Sequence, residues 1–152
     1  MLERRSARDR GSVLMLMPAG VLVVLVLGAM AVDLSLVHLG EREASAAASA
    51  AVNDAVTQGL DQDVLYSTGA YALDPVAVAD TIRVSLGAQE QTGRALRVAR
   101  GPILTDTDGD GAPDTVTIRV RMTIEYVFAK GIPGVADTTT VEAEATATAE
   151  PG

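Results

Sequence analysis

Residues 12–32 read SVLMLMPAGVLVVLVLGAMAV, a run of 21 residues without a charge, set directly after an arginine-rich start. As a helix this run spans about 30 Å at 1.5 Å per residue, the hydrocarbon thickness of a bilayer. A chain of 152 residues has no interior deep enough to require such a stretch. The run therefore predicts a transmembrane helix over 12–39, interrupted only near its end by Asp33, Ser35 and His38. Pro18 either kinks the first turns or marks where the helix effectively begins, since proline fits a first-turn position.

Charge flanks the run asymmetrically. Residues 1–11 carry Arg4, Arg5, Arg8 and Arg10 against Glu3 and Asp9, and the rest of the chain is strongly acidic. Basic residues beside a span stay cytoplasmic, so the expectation is a single-pass protein of the plasma membrane. Its basic leader, 1–11, lies inside and its C-terminal domain is extracytoplasmic. An acidic outer portion with three Tyr, one Phe and no Trp disfavours nucleic acid, which needs basic grooves and stacking platforms. With no cysteine, disulfides and thiolate metal sites are excluded.

Beyond the span the chemistry changes but the helical character continues. Residues 40–59, GEREASAAASAAVNDAVTQG, are rich in alanine, the best helix former, and Gly59 offers a stop. Ala47, Ala51, Ala55 and their neighbours form a stripe of small residues. That stripe either packs against other subunits, allowing a homo-oligomer, or folds onto the protein's own sheet. Residues 60–73 read as a connecting loop. Asp74-Pro75 is a helix-start signal, and Val76, Ala79, Ile82 and Leu86 recur at helical spacing to about Gly87.

From there the period becomes two. Residues 115–128, TVTIRVRMTIEYVF, alternate strictly, with Val116, Ile118, Val120, Met122, Ile124, Tyr126 and Phe128 on one face. Residues 138–149 alternate again, with Val141, Ala143, Ala145 and Ala147 inward, after a turn at Gly131, Pro133 and Gly134. A shorter strand is expected near 94–104. The fold class is α+β: a long N-terminal transmembrane helix continuing into an Ala-rich helix, a short helix, then a three-stranded antiparallel sheet in a domain over 60–152. One sheet face is polar, and helix 75–87 covers the other, together with the outer half of the long helix. Glu142, Glu144 and Glu150 protect the Thr-rich last strand from uncontrolled edge pairing.

The order of features at the N-terminus, Arg10-Gly11, the apolar span, Ala31-Val32-Asp33, Glu41-Arg42-Glu43 and the Ala-rich 44–55 with Asn53-Asp54, resembles the N-terminal region of TadE/TadG-like proteins of the Flp (Tad) pilus assembly system. The resemblance covers about a third of the chain. It implies a membrane-anchored component of a pilus or secretion apparatus, a pseudopilin or an assembly factor, whose partners are the membrane and other subunits. A long helix carrying a small sheet also fits a pilin-like plan. Cleaved pilin-like members carry Glu at the fifth position after the cut. Here the fifth residue after Gly11 is Leu16, so the uncleaved TadG-like type is the closer match. The rival reading is a secreted binding module, because Ala29-Met30-Ala31 has the form of a signal-peptidase site.

Asp106, Asp108, Asp110 and Asp114, with Gly111 among them, match the start of an oxygen-ligand calcium loop. They stand equally well in a polar hairpin turn, since Asp-Gly pairs favour tight turns, and Thr117 occupies the position where a calcium loop has Glu. Calcium there would be a structural ion that offsets carboxylate repulsion. Asp33 is expected to be solvated at the membrane interface. His38, the only histidine, has no recognisable catalytic partners, and no catalytic or cofactor-binding residues are legible.

Overall fold

The computed structural model describes residues 6–90 and 96–150, with side chains described for 16–88 and 96–150. Helix α1, Ser6–Gln58, runs for 53 residues without a break, and Pro18 lies inside it. Its first part is bare: the large apolar side chains from Leu16 to Met30 are all exposed. One window in this helix is long and apolar enough to cross a membrane by length and composition. Its second part is the spine of the folded domain. Ala44, Ala47, Ala48, Ala51, Val52 and Ala55 are buried in the core with residues of all three strands.

The small-residue stripe thus packs on the protein's own sheet. Glycines extend it at either end. A Cβ at Gly40 would meet the Ile124 side chain, and one at Gly59 would lie 2.6 Å from Val78 Cγ2. Small residues from 40 to 59 let sheet and helix α3 approach the α1 backbone closely, and dense contact is what stabilises such an interior.

Gly59 ends α1, and its carbonyl accepts from the Asp74 amide at 2.8 Å. The intervening residues 60–73, expected to be a plain loop, contain a short helix α2, Gln62–Thr68. Asp61 caps it, its carboxylate accepting from the amides of Asp63 and Val64, and Gly69 closes it. No residue of α2 is buried, so it leaves no apolar periodicity to read. Helix α3, Pro75–Glu90, begins where Asp74-Pro75 predicts, the Asp74 carboxylate accepting from the Val76 amide at 2.8 Å. Its buried row is Val78, Ile82 and Leu86, spaced by four; Val76, expected in that row, is exposed.

The sheet comprises β1, Leu96–Thr105, β2, Thr115–Glu125, and β3, Thr138–Thr148, antiparallel in the order β1-β2-β3. β2 and β3 pair without interruption from Thr115 opposite Thr148 to Glu125 opposite Thr138. β1 and β2 shift register on both sides of Arg100. The inner face of β2 is Val116, Ile118, Val120, Met122 and Ile124, as its alternation predicts. Helix α1 packs on β2 and β3, and α3 packs on α1 and β1, so two helices cover one sheet face. The opposite face pairs Arg119 with Glu144 and Arg121 with Glu142.

The strand reading of 115–128 overshoots by three residues. β2 ends at Glu125 and Phe128 is half exposed rather than inward. The Tyr126 amide still donates across to the Asp137 carbonyl, and the chain leaves the ladder after it because the amides from Val127 onward bind elsewhere.

Candidate functional site

Those amides bind Asp33. Its Oδ1 accepts from the Val127 amide at 2.8 Å and its Oδ2 from the Ala129 amide at 2.8 Å, with the Phe128 amide between them at 3.2 Å. A single side chain at the outer end of the apolar run thus holds a loop 94 residues away. Asp33 was expected to be solvated; instead it is 6% exposed, tucked between helix and loop. The physical reason is that a carboxylate receiving three N–H donors is compensated for leaving water, whereas three unpaired amides at the end of a strand would not be. A short 3-10 turn, Ala129–Gly131, follows at once, and its first amide, that of Ala129, is the third of these donors.

Beside this clip lies a cleft of about 360 Å³. It is lined by Leu25, Val26, Ala29 and Met30 of α1 and by Phe128 and Ile132 of the loop. Sequence reasoning missed this junction because no local pattern links Asp33 to residues 127–129. The one available signal was an acid placed directly after an apolar run, a costly position unless the acid has a partner.

His38 is exposed, with Nδ1 3.5 Å from a Glu41 oxygen. The acidic loop, 106–114, is divided in two. Asp106, Asp108 and Asp110 are exposed and place one carboxylate oxygen each within 4.8 Å of one another, a spacing that a divalent cation could bridge. The same carboxylates also cap the turn. Asp106 accepts from the amides of Gly109 and Gly111 at 2.6 and 2.9 Å, Asp108 from Asp110, and Asp110 from Ala112. Gly109 and Gly111 hold φ of 81° and 91°, which favours glycine.

Asp114 stands apart from that trio. It is buried, and its Oδ1 accepts from the Thr107 amide at 2.9 Å. Burial alone would push its carboxyl upward. The Thr107 amide and the hydroxyls of Thr115 and Thr107 outweigh burial and hold it below the usual carboxylate range. Its backbone also joins β1 to the C-terminal end of β3: its amide donates to the Thr105 carbonyl and its carbonyl accepts from the Ala149 amide. On the outer sheet face, the Arg121 guanidinium beside Glu142 holds that carboxyl low. Glu144 in turn raises Arg119.

The comparisons with known proteins bear on the element that carries Asp33. Residues 11–58 match the family described as putative Flp pilus-assembly TadE/G-like. No curated protein and no solved structure matches the chain. The TadE/G-like match ends at Gln58, where α1 itself ends, and takes in both the apolar run and the small-residue face. The N-terminal resemblance read from the sequence therefore holds. A TadE/G-like match that lies on a helix long and apolar enough to cross a membrane fits a pilus-assembly component.

Proposed function

We propose that the protein is a membrane-anchored structural or assembly component of a Flp/Tad-type pilus or related secretion apparatus, acting by non-covalent contacts. In this reading the arginine-rich leader is cytoplasmic, residues 12–39 span the plasma membrane, and the α+β domain stands outside. The observation that carries the reading is the continuity of α1. The helix matched to the TadE/G-like family is at once the apolar span and the core of the outer domain. The protein's work is then to hold a rigid outer surface at a fixed place on the membrane. The polar sheet face, with Arg119, Arg121, Glu142 and Glu144, is the surface offered to other subunits.

The testing experiment is the intact mass of the native protein, measured separately in membrane and culture-medium fractions. A full-length chain that resists alkaline extraction from membranes supports the anchored assembly component. A membrane chain lacking residues 1–11 supports the same anchor and assigns it to a processed subunit. A chain beginning at Val32 in the medium overturns the anchored reading in favour of a secreted module.

A further inference from the structure

The loop between β2 and β3 is unusual in this acidic chain. From 126 to 136 its only charge is Lys130, and Val127, Phe128, Ile132 and Val135 are each about half exposed. Phe128 is the only phenylalanine in the protein. Such a patch in a water-facing loop exposes apolar area without compensation. Its position gives the reason. Phe128 and Ile132 line one cleft with Leu25, Val26, Ala29 and Met30, on the membrane side of Asp33. At 1.5 Å per residue, residues 25–30 lie about 3–10 Å inside the outer end of the run 12–32. Side chains packed beside them sit at that same depth.

Six of the eight amides between 127 and 135 are prepared for such a place, while those of Lys130 and Gly134 find no acceptor among the described residues. In lipid every amide needs a partner within the protein. The amides of Val127, Phe128 and Ala129 donate to Asp33. Those of Gly131, Ile132 and Val135 donate to the carbonyls of Phe128, Ala129 and Ile132, and Pro133 has no amide to satisfy. Lys130 carries a stem long enough to reach the headgroups from this depth.

We propose that residues 127–135 are a second membrane contact, seated in the outer leaflet against the span, with Asp33 as the clip that holds them there. The occupant of the cleft and of the exposed patch is lipid acyl chain. The patch is continuous with a surface already committed to lipid, and it lacks the acidic residues that dominate the rest of the domain. The contact fixes the tilt and rotation of the outer domain on the bilayer, which one helix crossing alone does not do. The inference rests on reading the apolar run 12–32 as the part of the span that lies in hydrocarbon.

The test uses the full chain, one copy per phospholipid nanodisc, with single cysteines placed in a protein that has none. Phe128→Cys, Ile132→Cys, Val23→Cys and Thr146→Cys are each labelled with a small fluorophore. Each is then quenched by lipids with a nitroxide high on the acyl chain, by lipids with a nitroxide near the chain end (the probe suited to the mid-span position 23), or by aqueous iodide. The expected result is nitroxide quenching at 128 and 132 at least threefold stronger than at the sheet-face position 146, and iodide quenching at least threefold weaker. Iodide access at 128 and 132 equal to that at 146, with strong lipid quenching at 23, overturns the loop contact and leaves the span intact. Absence of lipid quenching at 23 overturns both readings. Shielding of 128 and 132 from both quenchers means that protein covers the patch, and this also overturns the proposal. Agreement between the labels at 128 and 132 guards against one substitution disturbing the fold.

Discussion

Replacing Ala48 with leucine tests where the small-residue face of α1 points. Ala48 exposes none of its surface and belongs to the core shared by α1, α3 and the sheet. Leucine adds three carbon atoms at a place where helix and sheet already touch. Inserting carbons into a packed interior costs about 1–3 kcal/mol, because neighbours must leave their rotamers or the backbone must shift. The change in helix propensity is a few tenths of a kcal/mol at most, so packing decides the sign. For a domain of this size, each kcal/mol moves the melting temperature by about 4 °C, giving an expected loss of about 4–12 °C.

Ala50→Leu is the matched control. It makes the same chemical change two residues along the same helix, on a face that is exposed. Surface changes of this kind stay within about 0.5 kcal/mol, or about 2 °C. The assay is tyrosine near-ultraviolet circular dichroism of the full chain in detergent, followed during heating. Tyr71 packs against the core and reports on it. An unchanged melting temperature in Ala48→Leu would refute internal packing and return the face to intersubunit contact.

Two further predictions concern the loop at the end of β1. Because hydrogen bonds depress the Asp114 carboxyl in the folded protein, the stability it adds is present above the unfolded value near 3.8 and is lost as pH falls through the lower folded value. Asp114→Asn should therefore melt well below the wild type at pH 7, with the gap narrowing below about pH 4. A gap that stays constant from pH 7 to pH 3 contradicts this. Calcium bridging Asp106, Asp108 and Asp110 at the weak affinity of extracellular sites, a dissociation constant of about 1 mM, would add about 1.4 kcal/mol at 10 mM ion. The expected rise in melting temperature is a few degrees, lost in Asp108→Asn. Identical curves in calcium and in chelator would remove the ion from the picture and leave a turn capped by its own carboxylates.

The elements were legible where one local period governs a segment. β2 announces itself from Val116 to Ile124 because a half-buried strand has to alternate, and α1 does so because an apolar run and an Ala-rich run share one helical geometry. The failures lie where no period operates. Helix α2 buries nothing, so only its caps, Asp61 and Gly69, could have revealed it. Val76 was placed in the buried row because its spacing to Ala79 and Ile82 is helical, yet the row that faces α1 starts two residues later at Val78. Phe128 continued the alternation of β2 in sequence while its amide had already left the ladder for Asp33. The oxygen trio 106–110 was legible as spacing, whereas the diversion of Asp114 to Thr107 was not, since it depends on the tertiary closure of the sheet.

The junction has a mechanical consequence that follows from where its bonds fall. A domain joined to a membrane helix by a flexible linker would not register how the helix turns. Here no linker exists: α1 enters the domain as its central helix, and Gly40 and Ala44 already lie against the folded domain within about three turns of Asp33. The Asp33 clip adds a second attachment, farther toward the N-terminus on the same helix face, to the loop between β2 and β3. Two attachments on one helix remove the hinge that one would leave. A rotation of the span about its own axis therefore has to turn the sheet by the same angle. Asp33→Ala, which deletes the clip and leaves the span and the Ala face untouched, separates these two attachments. It should speed hydrogen exchange at the amides of 127–129 while those at the centre of β2, such as Val120, keep their protection. Equal acceleration at both places would show that the clip supports the whole sheet and not the junction alone.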